Sequence, residues 1–286
     1  MKQKYLNIIC NTLHCKIDDI KSIEDCSGMT NNSYTFVVDN NKYLIRIPGI
    51  GANKLVNRMH EFEVYKTIKG AFGDDIIYFD TKTGVKISKF IYDGRNCNLK
   101  SKEDVRRCMQ YLKNFHDKKL KVSFEFDLCK KILEYQHLAG TSIYSDYKTT
   151  LYNVFDCLKW IETLSRPKQL IHIDPNPDNF LISNDNIYLL DWEYAAMQDP
   201  LLDIAMFAIY SNYDENEIEQ LLYYYDNNFS SQDLLIVYAY CAIAGLLWSN
   251  WCEYKLKLGQ NFGEYALNQY NYAKNFSEIV LKRVYF

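Results

Sequence analysis

Two acids and an amide stand at an informative spacing in the middle of the chain. Residues 172–179 read HIDPNPDN, and residues 189–193 follow as LLDWE. Asp174 and Asn179 are five apart, and Asp191 comes twelve residues after Asn179. Short apolar runs flank the loop, so strands on either side could aim all three side chains at one place. Mg²⁺ takes hard oxygen ligands, one or two from protein carboxylates and the rest from substrate phosphates and water. Asn179 and Asp191 have that chemistry, which leaves Asp174 free to accept a proton from an attacking hydroxyl. Glu193 is a third candidate on the metal side, with an ion pair as its structural alternative.

The surrounding pattern says which elements must hold these groups. Residues 33–39 (SYTFVVD) and 42–48 (KYLIRIP) are β-rich runs around Asn40-Asn41, a hairpin signal. Tyr43, Ile45 and Ile47 should share one strand face, with Leu44 and Arg46 on the other. Helical spacing follows over 53–69, with Leu55, Met59, Phe62 and Tyr65 on one side. Strands are expected at 76–79 and 85–91, with a Thr83-Gly84 turn between them. From Ser101 the pattern becomes helical. Ser101 is a candidate cap for a helix to about Asp117, and Glu103-Asp104 suit its positive first turn. Further helices are expected at 126–138 and 145–164, and in four blocks after Pro200. A small β-rich lobe with one helix, residues 1–92, therefore precedes a larger helical lobe, 93–286. The hinge falls near 90–100, and ligands are expected in a cleft between the lobes.

Composition narrows the classes. The 286 residues carry a net charge of −3, with 48% hydrophobic and 24% charged side chains. That is ordinary globular material. It has no global basic field to draw it to nucleic acid, so phosphate binding must be local. The nine cysteines show no CxxC or Cys/His clustering, which argues against zinc and disulfide frameworks. A reduced cytoplasmic setting fits, and the first fifteen residues have no apolar signal region. The longest uncharged apolar run, Leu234–Trp248, would reach only ~22 Å as a helix, against ~30 Å of hydrocarbon. It reads as a buried helix, not a membrane span.

The HxDxxxxN pattern followed by an Asp resembles the catalytic apparatus of kinase-fold enzymes. With DWEY at 191–194, the chain is most similar to the choline/ethanolamine kinase family, within the aminoglycoside phosphotransferase and protein-kinase-like superfamily. The resemblance extends over roughly residues 20–275. It implies a two-lobed α+β fold, with ATP and Mg²⁺ as cofactors. Ser27-Gly28-Met29-Thr30-Asn31 looks like the family's phosphate loop, so Ser27, Gly28, Thr30 and Asn31 are expected at the nucleotide. YLIRIPG at 43–49 resembles its third strand, where Arg46 takes the ATP-pairing position, and NRMHEFE at 57–63 the following helix, whose Glu61 should pair with Arg46. VKISKFI at 85–91 looks like the strand entering the adenine hinge, with backbone contact near Phe90 and Ile91. The loop holds one glycine where protein kinases have three, and the strand residue is Arg instead of Lys. Both departures fit the choline kinase group better than protein kinases, though they leave open how phosphate is contacted.

The acceptor is read from rings. Trp248 and Trp251 lie three apart on one apolar helix and so share a face. In choline kinases a similar Trp-x-x-Trp helps to box the quaternary ammonium. A trimethylammonium has no N–H to donate, and aromatic faces are its natural partners. Tyr194 and Tyr210 are candidates to close the box, with Asp174 adding charge. The structural alternatives are that the two tryptophans are core, Arg46 is an edge charge and 27–31 is an ordinary turn. His172 is expected to brace its loop, His116 to pack near a helix end and Asp203 to anchor the catalytic-loop backbone. Rival acceptors are ethanolamine, thiamine or an aminoglycoside; a non-catalytic nucleotide-binding scaffold is the remote alternative.

Overall fold

A computed structural model describes residues 1–26, 31–49, 56–183 and 186–285. The chain divides into two compact units. The first is Met1–Asn96 with Leu181–Ala195, and the second is Cys97–Phe180 with Ala196–Phe286. The sequence pattern predicts a single boundary near 90–100, whereas the fold also assigns the later DWEY segment to the first unit.

The first unit is built on an antiparallel sheet of strands β1 (Lys21–Asp25), β2 (Asn31–Val38), β3 (Asn41–Pro48), β4 (Ile76–Phe79) and β5 (Lys86–Lys89), in the order β1-β2-β3-β5-β4. The β2–β3 turn sits one residue earlier than expected, at Asp39-Asn40. Both residues have positive φ, 48° and 61°, as a two-residue hairpin turn with right-handed twist requires. Asn41 instead starts β3, opposite Val38. The predicted face alternation in β3 holds. Ile45 and Ile47 join Phe36, Val38 and Ile87 in one core cluster, while Arg46 is buried on the opposite face.

Among the described residues this unit has two helices, against the one expected. Helix α1 (Gln3–Leu13) packs Ile9 into the sheet core. Its Tyr5, Ile9 and Leu13 recur every four residues, a signal present in the sequence. Helix α2 (Arg58–Ile68) is capped by Asn57, whose side chain accepts from the Met59 and His60 amides at 3.0 and 3.3 Å. Its inner face is Arg58, Glu61, Val64, Tyr65 and Ile68. Met59 is exposed, contrary to the expected apolar stripe. Charge pairing, described below, decides which way this helix turns. Leu55 lies outside the described residues. The unit is completed by β6 (Arg95–Asn96), β8 (Phe180–Ile182) and β9 (Ile187–Leu189), a small sheet in the order β6-β8-β9.

The second unit is mainly helical. It contains α3 (Lys102–Asp117), capped by Ser101 as expected, α4 (Leu128–Ala139), α5 (Tyr147–Thr163), α6 (Leu201–Ser211), α7 (Glu215–Tyr225), α8 (Ser231–Lys257) and α9 (Glu264–Tyr285). A short ladder pairs β7 (Gln169–Ile171) with β10 (Ala196–Gln198). Helix α8 is long and apolar enough to cross a membrane by composition, but 89% of its apolar window is buried in the unit. It is a core helix. Gly245 sets how closely α9 lies on it, since a Cβ there would come within 2.5 Å of the Gln269 carbonyl and 2.8 Å of the Ala273 amide.

Candidate active site

In the first unit, strand β3 and helix α2 deliver a buried ionic network. Arg46 reaches Glu61 at 2.5 Å through one terminal nitrogen and Asp191 at 2.6 Å through the other. The nitrogen on Glu61 also donates to the Gly84 carbonyl at 3.2 Å. Arg58 bridges Glu61 at 2.6 Å and Glu193 at 2.8 Å. A planar guanidinium presents several donors in a fixed fork and can hold two carboxylates at once, which lysine cannot copy. Burial works against charge on Arg46, but Glu61, Asp191 and Glu193 overcome it and raise its pKa well above the arginine norm. Burial, then the Asp191 charge, push the Glu193 carboxyl up to about 7 against the pull of Arg46 and Arg58. Two guanidiniums thus face three carboxylates, an excess of negative charge.

Local backbone explains why the network forms here. Asp191 has φ 63°, a left-handed conformation uncommon outside glycine, and begins the short 3-10 turn Trp192–Tyr194. Trp192 is fully buried and donates from its indole to the Leu189 carbonyl at 2.8 Å, which pins that turn. Gly84 has φ +74°, and a Cβ on it would run into the Arg58 guanidinium. Asn31, at the start of β2, donates to Asp191 Oδ2 at 3.3 Å. At the other end of the sheet, a cavity of about 280 Å³ is bordered by Gly70, Gly73, Phe90, Ile91, Tyr92 and Tyr188, among others.

In the second unit, the catalytic-loop candidates are held from beneath. The fully buried Asp203 carboxylate in α6 accepts the His172 amide at 2.9 Å and the Ile173 amide at 2.8 Å. It also meets His116 Nε2 at 3.0 Å, while His116 Nδ1 meets the Tyr225 hydroxyl at 2.9 Å. Ile173 carries φ 70°, a strained state for a β-branched residue that costs of order 1–3 kcal/mol. The two amide bonds to Asp203 hold that strain immediately before Asp174. Asn179 donates to the Asp174 carbonyl at 3.0 Å, and Asn176 caps the 3-10 turn Pro177–Asn179. The loop is therefore over-determined on both sides of Asp174.

A connected set of rings starts at the residue that binds the Asp174 carboxylate. The Tyr210 hydroxyl donates to Asp174 Oδ1. The Tyr210 ring lies parallel to Tyr265 at 6.3 Å and tilted to Trp248 at 6.2 Å. Trp248 and Trp251 meet edge to face at 6.0 Å, and Phe262 packs on Trp251 at 4.9 Å. Trp251 already receives a cation: Lys255 Nζ is 5.3 Å from its ring centroid. A chain of rings thus leads away from the carboxylate through the Tyr210 hydroxyl.

Comparison with known proteins decides the family. The profile of the choline/ethanolamine kinase family matches residues 21–241. The chain belongs to that family. Choline kinase LicA from Streptococcus pneumoniae superposes with a TM-score of 0.83 at 27% identity, covering 97% of this chain and 100% of that one. A second LicA structure, in complex with AMP, gives the same score and identity, covering 97% of this chain and 98% of that one. The Haemophilus influenzae protein LicA is 23% identical over 264 residues, covering 86% of this chain and 97% of that protein. As a family member the chain is a small-molecule kinase of two-lobed α+β fold.

Within this kinase, the residues expected from sequence fall into two groups. Asn31, Arg46, Glu61, Phe90, Ile91, Asp191, Glu193 and Tyr194 belong to the first unit. Asp174, Asn179, Tyr210, Trp248 and Trp251 belong to the second. Ser27, Gly28 and Thr30 lie outside the described residues. Glu193 forms an ion pair with Arg58 at 2.8 Å. Sequence reasoning gave no place in the site to Arg58, Gly84, Phe262 and Tyr265. Arg58 was findable, three residues before Glu61 on a helix and so on one face with it. Tyr265 was hidden among 25 tyrosines.

Proposed function

We infer that this kinase transfers the γ-phosphate of ATP to the hydroxyl of choline, giving phosphocholine and ADP. In this reading Asp174 orients the choline hydroxyl and accepts its proton. Arg46, held by Glu61, neutralises phosphate charge, and the adenine meets backbone near Phe90 and Ile91. Asp191 and the side-chain oxygen of Asn179 would hold Mg²⁺. The donor set fits a hard divalent ion: both offer oxygen, Asp191 is a quarter exposed, and its network carries surplus negative charge. Magnesium, when bound, supplies charge neutralisation on the phosphates. The rest of the catalysis is positioning and electrostatics, since the protein does little covalent chemistry. The reaction belongs in the cytoplasm, where ATP is.

One observation carries the acceptor. The Asp174 carboxylate takes its hydrogen bond from Tyr210, whose ring lies against Tyr265 and Trp248. A quaternary ammonium is matched by such faces, at about 0.5–2 kcal/mol per contact. Ethanolamine, with three N–H donors, would want acceptors in their place. The test is a panel of choline, ethanolamine, thiamine and an aminoglycoside with Mg-ATP, read as kcat/KM. Choline is expected to lead. A higher kcat/KM for ethanolamine would reassign the acceptor, and ADP release unaffected by any of the four would remove the kinase reading.

A further inference from the structure

Asp191 is held by two residues that also have a claim on the nucleotide. Its Oδ1 is 2.6 Å from Arg46 Nη1 and its Oδ2 is 3.3 Å from Asn31 Nδ2. Both carboxylate oxygens are therefore engaged, one by a cation and one by an amide donor. A hard metal ion needs those oxygens, and a guanidinium on the same atom competes with it directly. Arg46 has a second anchor. Its other terminal nitrogen stays on Glu61 and on the Gly84 carbonyl, so Nη1 can change partner without the side chain leaving its place. Asn31 sits at the first position of β2, where an amide donor can turn from a carboxylate to a phosphate oxygen.

We propose that Arg46 and Asn31 clamp Asp191 as stand-ins for the metal, so that triphosphate and metal bind through an exchange of partners. The triphosphate takes the Arg46 and Asn31 donors, and the carboxylate oxygens they release go to the metal. Each ligand then favours the other, and by linkage the effect is equal in both directions. The proposal rests on Asp191 being a metal ligand, as read above. It gives Asn31 a role that its position in the phosphate-loop motif does not state. It also makes an unusual demand, that removing a nucleotide-side residue strengthens metal binding.

The experiment measures Mn²⁺ binding to the full chain without nucleotide, by loss of the free-ion electron paramagnetic resonance signal. Asn31→Ala removes no charge and is expected to tighten Mn²⁺ about tenfold, the scale of one hydrogen bond to a charged group. Arg46→Lys keeps the charge but cannot span Glu61 and Asp191 together, and is expected to tighten it as well. If Asn31→Ala binds Mn²⁺ no better than the unmodified chain, the clamp is overturned even should the arginine variant fail to fold. Asp191→Asn is expected to abolish the binding in every background. Binding that survives Asp191→Asn unchanged would instead remove Asp191 from the metal site, and with it the reading on which the exchange depends.

Discussion

At the residue scale, Asp174 owes its orientation to groups that touch it and to groups that do not. Tyr210 and Asn179 contact it directly, while Asp203 acts from the preceding backbone by satisfying the His172 and Ile173 amides. Asp174→Asn keeps an acceptor for Tyr210 and loses the negative charge and the basicity. We expect kcat to fall about 10²–10⁴-fold with an unchanged melting temperature. Near-normal turnover would remove Asp174 as base. The tryptophans are tested by a different split. Trp251→Ala should weaken choline by about 1 kcal/mol or more while leaving the KM for ATP alone. Equal changes in both KM values would return the ring to a packing role, with Lys255 as its cation.

At the element scale, the regular segments were largely legible. Ser101, the Thr83-Gly84 turn and the four blocks after Pro200 all appear where their capping and turn chemistry placed them. One helix was given the wrong facing because long-range charge overrode periodicity. Helix α2 turns Arg58 and Glu61 inward and leaves Met59 in solvent, because two guanidiniums and three carboxylates settle its facing. Local spacing puts Arg58 and Glu61 on one face, but that this face turns inward depends on Asp191 and Glu193, more than a hundred residues away. Helix α8 illustrates a readable start with a pH consequence. Asp233 accepts from the Ser230 amide at 3.0 Å and its hydroxyl at 2.7 Å, and meets Arg166 at 3.3 Å. Burial opposes its charge, but these bonds outweigh burial and hold the carboxyl below the usual range. A lowered folded pKa gives stability that is present above the ordinary value of about 3.9 and lost as pH falls through the folded one. Asp233→Asn should therefore reduce the urea midpoint at neutral pH and flatten its fall between about pH 5 and pH 2. Parallel curves for the two proteins would show that Asp233 does not contribute to the acid limb.

At the scale of the whole molecule, the first unit is discontinuous in sequence. Residues 1–96 contain Arg46, Arg58 and Glu61, but their partners Asp191 and Glu193 arrive with Leu181–Ala195. Leaving buried charges unpaired costs about 3–5 kcal/mol, against a typical domain stability of about 5–15. A fragment ending at residue 96 should therefore show no cooperative urea transition by circular dichroism. A sigmoidal transition at the midpoint of the full chain would contradict this. The same interruption matters during synthesis. A ribosome adding roughly 5–20 residues per second needs about 5–20 s to pass from residue 96 to residue 195. Throughout that interval the nascent sheet carries two arginines that share Glu61 while Asp191 and Glu193 have not yet been translated, so the amino-terminal part of this enzyme must wait for a later stretch of its own message before it can close.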